Sequence, residues 1–86
     1  MNHIATVEVV SLHGYPLRGV SCVRYEVFCK PVGESFANLC LDFIEPDASA
    51  WKASILKRAH EGQQPVTVTY YQNAKKFNVL DTVRLA

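Results

Sequence analysis

A mostly β fold with a single helix is predicted by three observations. Short runs rich in Val, Ile, Thr, Tyr and Phe alternate apolar and polar side chains at a period of two. Clusters of Gly, Pro and Asn separate them and turn the chain. Only one stretch, between Pro46 and Gly62, repeats its apolar residues at helical spacing. The predicted order is β-β-β-α-β-β. At 86 residues the chain is too short for a second domain, so residues 1–86 are expected to form one unit.

The first strand is expected over residues 3–12, with the pair Val9-Val10 breaking the alternation. A bulge there would keep both valines in or near the core. Ser11 to Gly19, with two glycines and Pro16, reads as a loop. Val20 to Lys30 forms the second strand, with Val23, Tyr25, Val27 and Cys29 on one face and Cys22, Arg24, Glu26, Phe28 and Lys30 on the other. After Pro31-Val32-Gly33-Glu34 a third strand runs from Ser35 to Ile44, its core face marked by Leu39, Leu41 and Phe43. A two-residue turn would push those three side chains out of the core, because a one-residue slip flips every side chain. A three-residue turn of Val32, Gly33 and Glu34 pairs Val27 with Leu39, Tyr25 with Leu41 and Val23 with Phe43. It also sets Arg24 opposite Asp42 and Lys30 opposite Phe36.

Pro46 ends that strand, and Asp47 or Ser49 is suited to cap a helix. Ala48, Trp51, Ile55, Leu56 and Ala59 form its apolar stripe, which places Trp51 in the core. Gly62 follows as the expected left-handed terminator. Pro65 to Tyr71 is the fourth strand, Gln72 to Lys75 the turn, and Lys76 to Leu85 the fifth strand.

Composition narrows the function. Nine Lys+Arg against eight Asp+Glu give a net charge of +1, which excludes a histone-like polycation and any large sequence-independent attraction to phosphate. A nucleic-acid ligand would need a local basic patch. The first residues lack a basic segment followed by an apolar run, so no secretory signal is expected, and no apolar run approaches the roughly 20 residues of a membrane span. Cys22, Cys29 and Cys40 are an odd set without short paired spacings. Reduced thiols and a cytoplasmic location are therefore expected, with no zinc site and no other cofactor. No glycine loop for a nucleotide and no Cys–His nucleophile pattern is present, so the chain is not expected to be an enzyme.

The C-terminal stretch Val66-Thr-Val-Thr-Tyr-Tyr-Gln-Asn-Ala-Lys-Lys-Phe-Asn-Val-Leu-Asp-Thr-Val-Arg-Leu85 has a polar, basic hairpin tip followed by an apolar strand. In that character, and in the order of its elements, the chain resembles the OB-fold domains of bacterial single-stranded-DNA-binding and primosomal proteins. The resemblance implies a five-stranded Greek-key barrel with its helix between strands three and four. An α+β roll with the same string of elements is the alternative.

The resemblance further implies a ligand face on strands two and three, flanked by the loops joining strands one to two and four to five. Here that face would show Arg24, Phe28, Lys30, Phe36 and Asn38. The first loop would supply His13, Tyr15 and Arg18, and the last hairpin Tyr71, Asn73, Lys75 and Lys76. Exposed aromatics can stack bases while Lys and Arg track phosphates. From Tyr70 to Phe77 there is no acidic residue, but Glu26 on the proposed face is unfavourable for a polyanion. Each feature also has a plainer reading: Phe28 and Phe36 as satellite core, Tyr15 as loop packing, and Lys75-Lys76 as a solvated tip that blunts an edge. Two functions are therefore expected to compete. One is a non-catalytic module for single-stranded DNA or RNA. The other is a small protein-interaction or inhibitor domain that docks by a sheet edge or an apolar patch. Clustering of Arg18, Arg24, Lys30, Lys75 and Lys76 on one surface would favour the first, and scatter around an aromatic patch the second.

Overall fold

The computed structural model describes residues 2–33 and 38–86. Among the described residues there are five strands, β1 (His3–Pro16), β2 (Cys22–Pro31), β3 (Leu39–Pro46), β4 (Val66–Gln72) and β5 (Asn78–Leu85), and one α-helix, α1 (Trp51–Glu61), which follows a short 3-10 turn at Asp47–Ser49. The predicted order of elements is the observed one. The strands form a single sheet that closes in a ring, in the order β1-β2-β3-β5-β4 and back to β1. Neighbours are antiparallel except β3 and β5, which run parallel and meet at Asp42 and Val79.

β1 serves two neighbours because it is long and bent. Its first part pairs with β4 as far as Val7 opposite Val66, and it pairs with β2 from Val7 to Pro16, with the register shifting between Val9 and Ser11. The Val9-Val10 doublet thus does mark a bulge. Only Val9 enters the core, however, while Val10 faces solvent. A bulge adds one residue outside the alternation, so one of two adjacent valines is released from the inner face. The strand continues four residues past the expected Leu12, which carries His13 and Tyr15 out of the loop and into the sheet. At Gly14 the continued strand passes close to its neighbour: a Cβ there would lie 3.1 Å from the Tyr25 ring across the pair.

The register between β2 and β3 differs from the expected one. Val27 pairs with Leu41, Tyr25 with Phe43 and Val23 with Glu45, a displacement of two residues. Alternation has a period of two, so it rejects a shift of one but cannot distinguish registers two apart. The inner face therefore stands as read, whereas the connection is longer than three residues. Residues 34–37, where the end of the expected turn and the start of the third strand fall, lie outside the described residues, and Phe36 with them.

Val7, Val27, Cys29, Leu41, Val66 and Val68 line the inside of the ring and are fully buried. The helix packs on them through Ala53, Leu56 and Ala59, with Ile55 partly covered. Trp51 is not in this core: it is 50% exposed, with the Lys52 ammonium 5.6 Å from its ring centre. The helix begins only at Trp51, and its two alanines let the backbone approach the ring, so the buried stripe is one of small residues around Leu56.

Both helix ends also differ from expectation. Neither Asp47 nor Ser49 caps the N-terminus. Glu45, 3% exposed at the end of β3, instead accepts the backbone N–H groups of Lys52 at 2.8 Å and Ala53 at 3.1 Å. A carboxylate is well suited to that end of the helix dipole. At the C-terminus Gly62 remains right-handed and Gln63 adopts φ +51. Gln63 N–H donates to His60 O and Gln64 N–H to Ala59 O, the crossed pair of bonds of a Schellman ending.

Candidate nucleic-acid interface

The outward side of the sheet can be assembled row by row from the register. One row runs His13, Glu26, Asp42, Val79 and Tyr71 across β1, β2, β3, β5 and β4. On one side of it lies the row of Tyr15, Arg24 and Ile44, and on the other that of Ser11, Phe28 and Cys40. Tyr15, Arg24, Phe28, Lys30 and Tyr71 therefore share one continuous outer wall. Because β3 and β5 run parallel, their starts lie at the same end. The β2–β3 connection beyond Lys30 and the β4–β5 turn with Lys75 and Lys76 thus leave the sheet at the same end, and the β1–β2 loop with Arg18 at the opposite end.

The charges on this wall are mixed. The Arg24 guanidinium meets Glu26 at 2.9 Å and Asp42 at 3.4 Å, and its carbon sits 4.9 Å from the Tyr15 ring centre. Asp42 is not directly opposite Arg24 as expected; the shifted register makes it a diagonal neighbour instead, and the pair still forms. The Glu26 hydrogen bond is the main reason the Arg24 pKa is held above its usual value. Lys30 stands opposite Glu8 on β1. Among the described residues of the first three strands, Glu8, Glu26 and Asp42 thus oppose Arg24 and Lys30. Two of these carboxylates also act on the Cys40 thiol, whose pKa is raised by burial first and then by Asp42 and Glu26.

The aromatic groups divide similarly. Phe28 is half-buried and packs edge-on to His13 with ring centres 6.1 Å apart. Tyr71 and Phe77 are exposed at the base of the last hairpin, Phe77 at 55%. Phe77 lies outside the fifth strand rather than within it, since β5 begins one residue later, at Asn78. The signal that could have revealed it is Asn73. Its Oδ1 accepts the N–H groups of both Lys75 and Phe77 at 3.0 Å, and such an Asn-centred turn extends the loop to Phe77. Asn73 N–H donates to Phe77 O and Lys76 N–H to Asn73 O, both at 2.9 Å, with Lys76 in the left-handed region at φ +67. A lysine occupies the conformation that a glycine or asparagine would adopt at least cost. Both ion pairs among the described residues involve Arg24, and neither tip lysine takes part.

Arg18 is exposed in the β1–β2 loop, away from the lysine cluster. The described residues contain no cluster of three or more His, Cys, Asp or Glu able to hold a metal ion. No helix among them is long and apolar enough to cross a membrane. Compared with protein-family models, with curated proteins and with solved structures, the chain matches none.

Proposed function

We propose that the protein is a non-catalytic binding module of OB type that takes single-stranded nucleic acid on its outer wall, at the end formed by the last hairpin and the β2–β3 connection. The observation that carries this reading is that Lys30 and Phe28 on β2 lie toward the same end of the sheet as the turn of Lys75 and Lys76 with its flanking Tyr71 and Phe77, with no acidic residue between Tyr70 and Phe77. Cations that follow the backbone and exposed rings that receive bases are the two requirements of single-strand binding. The ring order, with the helix between β3 and β4, supports the OB resemblance and its placement of a ligand between strands two and three and the β4–β5 loop. Arg18 and Arg24 are left out of this smaller site, Arg18 by its position and Arg24 by its carboxylate partners. Binding of labelled single-stranded DNA and RNA across a salt series tests the proposal. Affinity should fall linearly with salt on logarithmic axes, and absence of binding at roughly 50 mM salt would defeat the reading.

A second reading rests on the other end of the wall. Arg24, already neutralised, lies between Tyr15 at 44% and Ile44 at 58% exposure. An ordered charge flanked by apolar groups suits a protein partner better than a polyanion. Failure of the salt series would make this the preferred function.

A further inference from the structure

Beyond Val7, β1 has no β4 neighbour, since Val66 is the first residue of that strand. The end of α1 meets β1 there instead. His60 Nδ1 donates to Val9 O at 3.1 Å, the nitrogen being the donor because a carbonyl can only accept. Beside this contact is a cavity of about 310 Å³, lined by Glu8, Val9, Ala59, His60, Gln63 and Gln64. That volume is at the lower end for ligand sites and suits a small group.

The lining favours positive charge. It contains the Glu8 carboxylate and no Lys or Arg. Both ion pairs among the described residues belong to Arg24, so Glu8 takes part in neither, although Lys30 is its cross-strand partner. The C-terminal end of a helix carries partial negative charge and stabilises a cation. With Nδ1 engaged as a donor, the neutral His60 ring has only an acceptor at Nε2, and the Gln63 and Gln64 amides add two carbonyl acceptors. Below these exposed polar groups, Val9 and Ala59 are buried and apolar. A strongly hydrated ammonium gains little from an apolar floor. A guanidinium is flat and weakly hydrated, and it pairs with a carboxylate through two parallel N–H bonds.

The turn after α1 bears on the same cavity. Gln63 takes the left-handed conformation at φ +51, while Gly62 directly before it stays right-handed. A glycine would adopt that conformation at less cost, yet the residue in it is one whose side chain lines the cavity.

We propose that this cavity binds a guanidinium group, the head of an arginine. Glu8 pairs with it through both carboxylate oxygens, Gln63 and Gln64 accept from its remaining N–H groups, and Val9 and Ala59 lie under its planar face. The cavity is built from β1, α1 and the turn into β4, with no residue of the last hairpin, so the site is independent of the ligand proposed above.

Titration of the wild-type chain with N-acetylarginine amide, followed through the backbone amide signals of Val9, Gln63 and Gln64, tests the site. Saturable shifts at these residues are expected. The citrulline counterpart, which lacks the charge, and the lysine counterpart, which lacks the planar fork, should each bind at least about tenfold more weakly. Glu8→Gln, at an exposed position, should weaken arginine binding at least about tenfold with the thermal melt unchanged. Gln63→Gly should raise the melting temperature and weaken binding. Tighter binding of a blocked Gly-Arg-Gly peptide than of the blocked amino acid supports the site and assigns the group to a partner chain. Equal binding supports it with a small molecule as the source. The absence of saturable shifts at millimolar concentration overturns the proposal, as does equal binding of the citrulline or lysine counterpart. Unchanged affinity in a folded Glu8→Gln variant overturns it too. Should that variant fail to fold, the selectivity of the wild-type chain decides alone.

Discussion

The two ends of the outer wall contain the same ingredients arranged in opposite ways. At one end Arg24 is held by Glu26, Asp42 and the Tyr15 ring, so its charge and its geometry are both consumed within the molecule. At the other, Lys75 and Lys76 project from a turn whose backbone is organised by Asn73, with Phe77 and Tyr71 beside them. A count of basic and aromatic residues treats these ends as equals. Partnering separates them: an arginine with two carboxylates has little left to offer a phosphate, whereas a lysine on a fixed turn keeps its charge available.

The comparison is most directly broken at the lysines. Replacing both Lys75 and Lys76 with alanine should weaken single-strand binding across sequences. It should also flatten the salt dependence by up to about 1.4 log units of slope, at about 0.7 for each phosphate no longer neutralised. A slope unchanged in the double variant would place the ligand elsewhere. Truncating Phe77 or Tyr71 should cost about 1–3 kcal/mol of binding with little change in slope, because stacking releases no counterions. An equal fall in slope in these variants would show that the hairpin had been distorted rather than a stacking ring removed.

Lys76→Gly sharpens the contrast further. Relief of the left-handed backbone should stabilise the fold by about 1 kcal/mol, read as a higher melting temperature, while removal of the charge lowers affinity. Opposite signs in the two measurements identify a residue kept for its side chain at the expense of its backbone. A lower melting temperature would remove that argument. At the Arg24 end, Trp51→Ala should cost no more than about 1 kcal/mol, and the tryptophan emission of the folded protein should resemble that of an exposed indole, because the ring is half in solvent. A blue-shifted emission would mean the ring is covered, by a second chain or by the fold itself. The smallest effect is expected for Arg24→Ala, which should leave single-strand affinity within about twofold, since that charge is already paired. A large loss of affinity there would move the ligand to the Arg24 end of the wall.

The sequence by itself determined what local patterns can carry. The order of strands and helix, the inner positions Val27, Cys29 and Leu41, the helix position of Leu56 and the bulge at Val9-Val10 all follow from periods of two and 3.6 residues, which depend only on neighbouring side chains. The basic, acid-free hairpin was legible for the same reason. The tertiary structure alone decided the β2–β3 register, because pairings two residues apart bury the same face and differ only in the length of the connection. Tertiary packing also put Ala53 inside and Trp51 outside: how closely a helix may approach the ring depends on the strands opposite it, not on its own hydrophobicity. The capping of α1 by Glu45 and the open edge of β1 past Val7 arise in the same way. Each joins or separates groups distant in the chain, and no local pattern records where a ring of strands will close.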